Sequence, residues 1–274
     1  MGNLDLLVLA SGSKGNAAIV RNTSTGRGIL IDCGICKRDF MSRCAELGFN
    51  PCDIEAVFIS HEHTDHTKGL GVVLRGLEKA GARPLLYASK AVSASSGPIQ
   101  EVCYGVGARN GAIVEHRAFR AGESIGAAGM QVHVFPTSHD CSESFGFRVE
   151  CDGDVLGWMT DSGVVTPQAH EALSGVRILG IESNHDVEML RTGPYPWPLK
   201  QRIGGEFGHL SNEQCVGEVG LLLHSGLEHV VCLHISENNN TYDLPKRNIR
   251  RLLAEADHPA IAKSAFQCTT TFIH

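Results

Sequence analysis

Residues 61–66 read His61-Glu62-His63-Thr64-Asp65-His66 and come directly after the apolar run Ala56-Val57-Phe58-Ile59-Ser60. Side chains two positions apart in an extended segment point the same way, so the first two histidines can converge on one ion. A turn into a following helix can bring the aspartate and the third histidine round to a second ion. Three imidazoles and a carboxylate suit Zn, Mn or Fe, which take mixed nitrogen and oxygen ligands. The alternative is a solvated polar loop that holds no metal.

Three later residues have the placement that further metal ligands need, because each comes at the end of a strand-like run. They are His139 after Gln131–Pro136, Asp161 after Asp154–Thr160, and His234 after Val230–Leu233. Taken singly, each is more often an ordinary polar residue than a ligand. Their occurrence in this order after the first motif indicates one common site.

The bulk composition is that of a folded protein outside the membrane. The chain has 274 residues, of which 42% are hydrophobic and 20% charged, as is ordinary for a globular protein. No apolar run approaches the roughly 20 residues that a membrane helix needs, and the apolar start is better explained as a first strand than as a secretion signal. The net charge of -6 argues against nucleic acid gripped over the whole surface, but not against a local site.

The cysteines indicate the compartment. Ten cysteines in a chain of this length do not form a disulfide scaffold. Cys33 and Cys36 form a Cys-x-x-Cys pair, but a redox or zinc interpretation needs a thioredoxin-like context or a second pair, and neither is found. Buried thiols are the simpler interpretation, and the sequence predicts a reduced, cytoplasmic protein.

Strand-like and helix-like runs occur in both halves of the chain. The strand-like runs are Leu4–Ala10, Ala17–Arg21, Gly28–Asp32, Ala56–Ser60, Leu85–Tyr87, Gln131–Pro136, Phe145–Cys151, Asp154–Thr160, Val176–Ile181, His229–Ile235 and a run near Thr269–Phe272. The helix-like runs are Lys37–Leu47, His66–Ala80, Pro167–Ala172, Ser211–His224 and Leu244–Ala256. Two helix starts are recognisable, a capping threonine before Pro167 and a capping box that begins at Ser211. The pattern predicts an α/β sandwich of two mixed sheets with helices outside, in one domain of residues 1–274.

The ordered motifs resemble those of the metallo-β-lactamase superfamily over nearly the whole chain, and the resemblance implies that family's αββα sandwich. It implies that His61, His63 and His139 hold one metal ion. Asp65, His66 and His234 would hold a second ion, and Asp161 would bridge the two. The implied cofactor is therefore a pair of divalent ions, Zn or Mn with Fe possible.

Two departures narrow the branch within this superfamily. The antibiotic-hydrolysing members carry a cysteine where this chain has Asp161, which argues against that activity. The flavin-linked di-iron branch carries a glutamate where this chain has His63. The full ligand set with a bridging aspartate resembles the phosphodiesterase and glyoxalase branches.

Further segments resemble the YycJ/WalJ subfamily, bacterial proteins regarded as exonucleases on single strands. They are Ser11–Asn16, Glu182–Asp186, Tyr195–Ile203 and Gly208–Glu213. The resemblance implies a dinuclear phosphodiesterase or exonuclease on single-stranded DNA, with a metal-bridging hydroxide as nucleophile. The alternatives are a glyoxalase-type thiolester hydrolase and a non-catalytic metal-containing protein that binds nucleic acid or protein. No membrane partner is expected, and the oligomeric state is left open.

Two residues are predicted to act in catalysis, Asp65 by orienting the nucleophile and His209 by assisting the leaving oxygen. The role of His209 follows from a resemblance to the RNase Z branch, where a histidine at the start of a similar helix contacts the scissile phosphate. A surface histidine beside a helix cap is the alternative. The predicted substrate-binding residues are Ser13, Asn184, His209 and Ser211.

Other residues are candidates for contact with the nucleic acid. Lys200 and Arg202 lie in a proline-rich segment and can contact the backbone. Trp197, in the same loop-like stretch, can stack a base, whereas Trp158 is expected in the core. The basic run after the last ligand, which begins at Lys246, is most simply a solvated helix face.

Overall fold

The computed structural model describes residues 2–108 and 111–274. Within these ranges the strands are β1 Leu4–Ala10, β2 Ala17–Asn22, β3 Gly28–Ile31, β4 Ile54–Phe58, β5 Leu85–Ser89, β6 His116–Phe119, β7 Ser124–Ala127, β8 Met130–Pro136, β9 Phe145–Cys151, β10 Asp154–Met159, β11 Ile178–Glu182, β12 His229–Leu233, β13 Ile261–Ser264 and β14 Thr271–Ile273. The helices are α1 Lys37–Glu46, α2 Thr64–Thr67, α3 Leu70–Lys79, α4 Lys90–Ser95, α5 Gly97–Tyr104, α6 Pro167–Leu173, α7 Val187–Thr192, α8 Trp197–Ile203, α9 Asn212–Leu222 and α10 Leu244–Glu255.

Among the described residues the strands form two seven-stranded mixed sheets. The first has the order β14-β1-β2-β3-β4-β5-β6 and the second the order β13-β12-β11-β10-β9-β8-β7. Strands β3 to β6 run parallel in the first sheet, as do β10 to β13 in the second. Parallel strands end at a common sheet edge, where the following loops can build a site.

Apolar side chains fill the space between the two sheets and the space under the outer helices. One buried cluster joins Leu7 and Phe58 of the first sheet to Phe147 and Trp158 of the second. A second cluster packs α6, α9 and α10 against the outer face of the second sheet, for example Leu253 with the core around Ile181. The arrangement is the predicted sandwich of two sheets with helices outside, so the fold class is confirmed.

Several elements differ from the sequence-based expectation. Strands β6, β7 and β13 were not predicted, because each has only four residues and a partly exposed pattern. The predicted helix His66–Ala80 is divided into α2 and α3 at Gly69, where an added Cβ would lie 2.0 Å from the carbonyl oxygen of Ile35. Helices α4, α5, α7 and α8 were also missed. Trp197 was expected in a loop but begins α8.

Two further features concern the cysteines and the helices. The ten cysteines are free thiols in the structure; Cys33 is buried and Cys36 exposed. Within the described ranges, none of the helices has the length and apolar character needed to span a bilayer.

Candidate metal centre

The carboxyl ends of strands from both sheets bring the predicted ligands together. His61 and His63 follow β4. The chain then enters the single helical turn α2, which contains Asp65 and His66. His139 follows β8, Asp161 follows β10 and His234 follows β12. Glu62, between the first two histidines, accepts hydrogen bonds from the backbone nitrogen and hydroxyl of Ser142, at 2.6 and 2.8 Å. It thereby fixes the loop that carries His139.

Backbone strain accompanies this convergence. Asp32, Asp161 and His234 have φ angles of 58°, 54° and 50°, in the left-handed region, and each comes just after a strand. Such a conformation costs about 1–3 kcal/mol for a residue other than glycine. The surrounding packing must therefore hold these three side chains at the sheet edge, which is typical of functional positions.

All seven predicted ligands belong to clusters that are compact enough to hold a metal ion. Their candidate ligand atoms lie within 4.8 Å of one another in each of three groups, which are His61/His63/His139, Asp65/His66/His234 and His61/His66/Asp161. The Nδ1 atom of His63 lies 3.3 Å from Nε2 of His139, and Nε2 of His66 lies 3.3 Å from Oδ2 of Asp161. The third group connects the first two, so the geometry allows two adjacent ions with Asp161 between them.

A layer of buried acceptors orients the histidine rings. The Nδ1 atom of His66 lies 2.8 Å from Oδ2 of Asp32, and Nδ1 of His234 lies 2.9 Å from Oε1 of Glu182. The carbonyl oxygen of Gly208 is 3.0 Å from Nδ1 of His139. An acceptor on Nδ1 leaves Nε2 of the neutral ring with a free lone pair, which is how proteins prepare histidine for a metal.

The serine that precedes the motif extends this layer to His61. Its hydroxyl, in Ser60, lies 3.0 Å from Nδ1 of His61 and donates to Oδ2 of Asp32 at 2.8 Å. The Nε2 atoms of His61 and His234 are buried, and neither has a hydrogen-bond partner among the described residues. A buried ring nitrogen without a partner is costly. Both residues belong to candidate metal clusters, and a bound metal ion would supply the missing partner of each nitrogen. The residues present therefore fit a metal.

The protonation of the rings is set by burial and by the carboxylates between them. Burial lowers the pKa of His61 well below its usual value and also lowers the pKa of His139, which favours the neutral form of both rings. Burial alone would lower the pKa of His234, but the charge of Asp161 raises it to about 10. Neutral imidazoles are ready ligands, whereas a protonated ring must release its proton to an incoming cation.

Two carboxylates of this layer, Glu182 and Asp32, were given no role by the sequence reasoning. Glu182 ends β11 and is fully buried; its Oε1 lies 2.8 Å from Nδ1 of His209 as well as near His234. Burial alone would raise the pKa of Glu182, but the two rings lower it to about 2. The sequence feature that could have identified them is a carboxylate at the end of an apolar strand, and both residues have this feature.

A cavity of about 270 Å³ opens over the ligands. It is lined by His63, Asp65, His139, Asp140, Asp161, His209 and His234, and on the other side by Ser13, Tyr195, Leu199, Arg202, Ile203 and Gly208. Arg202 is the one lysine or arginine among these lining residues, and it is ion-paired with Asp140. A larger groove of about 760 Å³ lies beyond the loop 137–144. Among the described residues, those that form the candidate metal clusters do not line this groove.

The predicted substrate-binding residues divide into two pairs. Ser13 and His209 line the cavity, whereas Asn184 and Ser211 do not. The side-chain amide of Asn184 donates to the carbonyl oxygen of His234 at 2.7 Å, and Ser211 forms the predicted capping box with Gln214. Both side chains therefore support the site through hydrogen bonds within the chain, and their contact with substrate stays a prediction.

Several backbone donors of the loop Ser11–Asn16 form hydrogen bonds within the chain. The backbone nitrogen of Gly12 donates to Oδ1 of Asn16, and that of Asn16 to the carbonyl oxygen of Asp65, both at 2.8 Å. Lys14 donates its backbone hydrogen to Gln267. The loop is the connection between β1 and β2 and supports the backbone of Asp65. Similarly, Lys200 points away from the cavity, with its ammonium 2.8 Å from the carbonyl oxygen of Arg191.

Comparison with known proteins agrees with this architecture. The family model of the beta-lactamase superfamily domain matches residues 27–235. Exodeoxyribonuclease YycJ of Bacillus anthracis is 30% identical over 254 residues, which cover 92% of this chain and 90% of the relative. Exodeoxyribonuclease WalJ of Streptococcus pneumoniae is 31% identical over 250 residues, with coverage of 91% and 88%. The metallo-beta-lactamase fold protein YhfI of Bacillus subtilis superposes over 100% of both chains with a TM-score of 0.71 at 15% identity.

The sequence match covers most of the chain, and the ligand clusters lie at the sheet edge where the strands of both halves end. The chain therefore belongs to the metallo-β-lactamase superfamily and is a metal-dependent hydrolase of its YycJ/WalJ subfamily.

Proposed function

We propose that this chain is a two-metal phosphodiesterase that acts as an exonuclease on single-stranded DNA. The observation that carries the proposal is the pair of ligand clusters joined through Asp161 beneath one cavity. Similarity to relatives named as exodeoxyribonucleases supports the choice of substrate. We propose Zn or Mn as the metal, because the donor set mixes imidazole with carboxylate.

In this proposal His61, His63 and His139 hold one ion, and Asp65, His66 and His234 hold the other, with Asp161 between them. Bound there, two divalent ions would supply a water of lowered pKa and neutralise charge on the phosphate oxygens. Asp65, which reaches the cavity surface, accepts a hydrogen bond from the attacking water and so orients it. Its backbone is held by the amide of Asn16 and by Gly34, where an added Cβ would lie 1.5 Å from the carbonyl oxygen of Asp65.

His209 is suited to assist the leaving oxygen. Its ring centroid lies 5.0 Å from those of His139 and His234, so it stands between the two clusters at the cavity wall. Glu182 accepts a hydrogen bond from Nδ1 and keeps a proton on that atom. In the protonated imidazolium form Nε2 also carries a proton, and that proton is the one that His209 would donate to the leaving group. The backbone N–H groups near the start of α9 already donate hydrogen bonds to side chains of this protein, so we do not assign phosphate binding to this helix end.

Arg202 is proposed to contact a phosphate of the strand. Its side chain is 58% exposed at the cavity, and Asp140 fixes the guanidinium there. We expect Arg202→Ala to raise the KM for single-stranded DNA about tenfold to a hundredfold, because a hydrogen bond to a charged group is lost, and to change kcat little. Steady-state kinetics on an end-labelled oligonucleotide measures both.

Arg191→Ala is the matched control, since this arginine is exposed on α7, pairs with Glu188 and does not line the cavity. An unchanged KM in Arg202→Ala, or an equal rise in the Arg191 variant, would contradict the proposed contact.

One digestion experiment separates the proposed function from its alternatives. Protein loaded with Zn or Mn is incubated with end-labelled single-stranded DNA, duplex DNA, RNA and a thiolester. We expect stepwise shortening of the single-stranded DNA, with little loss of the duplex or the thiolester. Faster thiolester hydrolysis would indicate the glyoxalase-type alternative, and a bound but uncut strand would indicate a binding protein.

A further inference from the structure

One aromatic side chain lines the cavity, and two exposed aromatic side chains lie next to cavity-lining residues in the sequence. Tyr195 lines the cavity itself. Trp197 and Phe207, with exposures of 71% and 63%, are the two most exposed aromatic residues in the part of the chain that the structure describes. We call Tyr195, Trp197 and Phe207 the aromatic rim.

The aromatic rim is joined to cavity-lining residues along the chain, at the start of α8 and beyond its end. Leu199, Arg202 and Ile203 line the cavity from one side of this helix, as the helical spacing of three and four residues allows. Trp197 begins the helix, two residues after Tyr195. At the other end of the segment, Phe207 directly precedes Gly208, which also lines the cavity.

The first ring of the rim is held in place rather than loose. The phenolic oxygen of Tyr195 accepts a hydrogen bond from Nδ2 of Asn238 at 2.7 Å. This bond anchors one end of the side chain, so the ring stays at the cavity wall. Trp197, in contrast, has the larger ring and is free to meet a ligand from solvent.

An exposed tryptophan beside a site for phosphodiesters has a specific use. Single-stranded nucleic acids bind through stacking of bases on aromatic rings combined with positive charge on the backbone. Arg202 supplies the charge at the cavity and the rim supplies the rings. In a duplex the base faces are already covered by their stacked neighbours, so they cannot occupy the rim without melting.

We propose that Tyr195 and Trp197 form a stacking platform for the unpaired bases next to the scissile phosphate, and that this platform selects single strands over duplexes. The inference rests on the proposed function and adds a location and a cause for its strand preference. Tyr195 serves the base at the cavity and Trp197 the neighbouring base outside it. Phe207 follows Glu206, whose carbonyl oxygen accepts a hydrogen bond from the hydroxyl of Ser138 in the loop that carries His139.

Tryptophan fluorescence gives a readout that does not require turnover. The chain has two tryptophans, and Trp158 is buried in the core at 2% exposure, so changes on binding report Trp197. The metal-loaded protein is titrated with a single strand protected by phosphorothioate linkages, with an abasic strand of the same length, and with a blunt duplex. We expect the base-bearing strand to quench the emission, and the abasic strand and duplex to leave it nearly unchanged.

Variants test the same inference by affinity, measured as anisotropy of a labelled strand. Trp197→Ala is expected to weaken binding of the base-bearing strand about five- to a hundredfold, the usual loss for one stacked base. Trp197→Phe should keep part of the affinity, and the abasic strand should bind both variants as it binds the unaltered protein. Tyr104→Ala is the matched control, because that exposed ring lies on α5 outside the cavity.

The outcomes separate this inference from the proposed function. Equal quenching by base-bearing and abasic strands, or an unchanged affinity in Trp197→Ala, would overturn the platform while strand cleavage by the protein still stood. If no strand is bound or cut by the metal-loaded protein, the nuclease proposal fails, and the platform fails with it.

Discussion

Replacement of Asp161 by asparagine is expected to abolish hydrolysis and to release at least one of the two proposed metal ions. Oδ2 of Asp161 lies 3.3 Å from Nε2 of His66, and Oδ1 lies 3.8 Å from Nε2 of His139, which belong to different clusters. A neutral amide cannot supply the negative charge that two adjacent cations require. We expect turnover to fall about 10³-fold or more. Metal content per chain, from elemental analysis, and the rate on single-stranded DNA measure the two effects.

Asparagine is the right substitution because the backbone at Asp161 is left-handed, and asparagine tolerates that conformation better than alanine does. The matched control is Asp152→Asn, an exposed aspartate with a φ of 48° that lies in the turn between β9 and β10. The control should keep both metal and activity. Full metal content and normal turnover in Asp161→Asn would refute the two-metal scheme.

Asp65→Ala is a second test of the two-metal scheme. Asp65 belongs to one cluster only, with His66 and His234. This variant should therefore lose activity and one ion, while the ion held by His61, His63 and His139 stays bound.

His209→Ala is expected to reduce turnover about 10²- to 10⁴-fold without loss of metal. His209 lines the cavity and its Nδ1 is bonded to Glu182, which leaves Nε2 for the leaving oxygen. Elemental analysis should find the same metal content as in the unaltered protein. A thymidine phosphodiester with a 4-nitrophenol leaving group should lose much less activity, because that group departs without a proton.

Two further variants make the result interpretable. Glu182→Gln disturbs both His209 and His234, so it should lower the rate and the metal affinity together, each by about 10- to 100-fold. His170→Ala removes a half-exposed histidine on α6 that pairs with Glu218 outside the cavity, and it should change neither. Loss of metal in His209→Ala would mean that His209 is itself a ligand, which its place in a cluster with Asp161, Glu182 and His234 allows.

The fold class and the clustering of the candidate ligands could both be predicted without coordinates. Strand-like runs of alternating and buried residues are local patterns, and ten of the fourteen strands that the structure describes coincide closely with predicted runs. The spacing of residues 61–66 after β4 is also local, because an extended segment followed by a helical turn places its side chains by geometry alone. The structure brings all seven predicted ligands into the clusters.

The supporting residues could not be predicted in the same way. Glu182 is remote in sequence from His234, and Asp32 from His66, yet each carboxylate is bonded to its histidine in the folded chain. Such pairs depend on which strands become neighbours, and that is a property of the sheet order. The hydrogen bond that Asn184 makes to His234 also joins residues that are distant in sequence, and the sequence alone did not indicate it, whereas the capping box of Ser211 is local and was predicted.

The amino-acid order alone was sufficient for the ligand types, their spacing and the sandwich that carries them, because these depend on short-range geometry and on burial of apolar strands. Only the tertiary structure decided which carboxylate orients which ring, that α8 covers the cavity with Arg202, and that Asp161 and His234 adopt left-handed backbone. These features arise where strand ends from two sheets meet, and the contacts made there join residues that the chain separates widely.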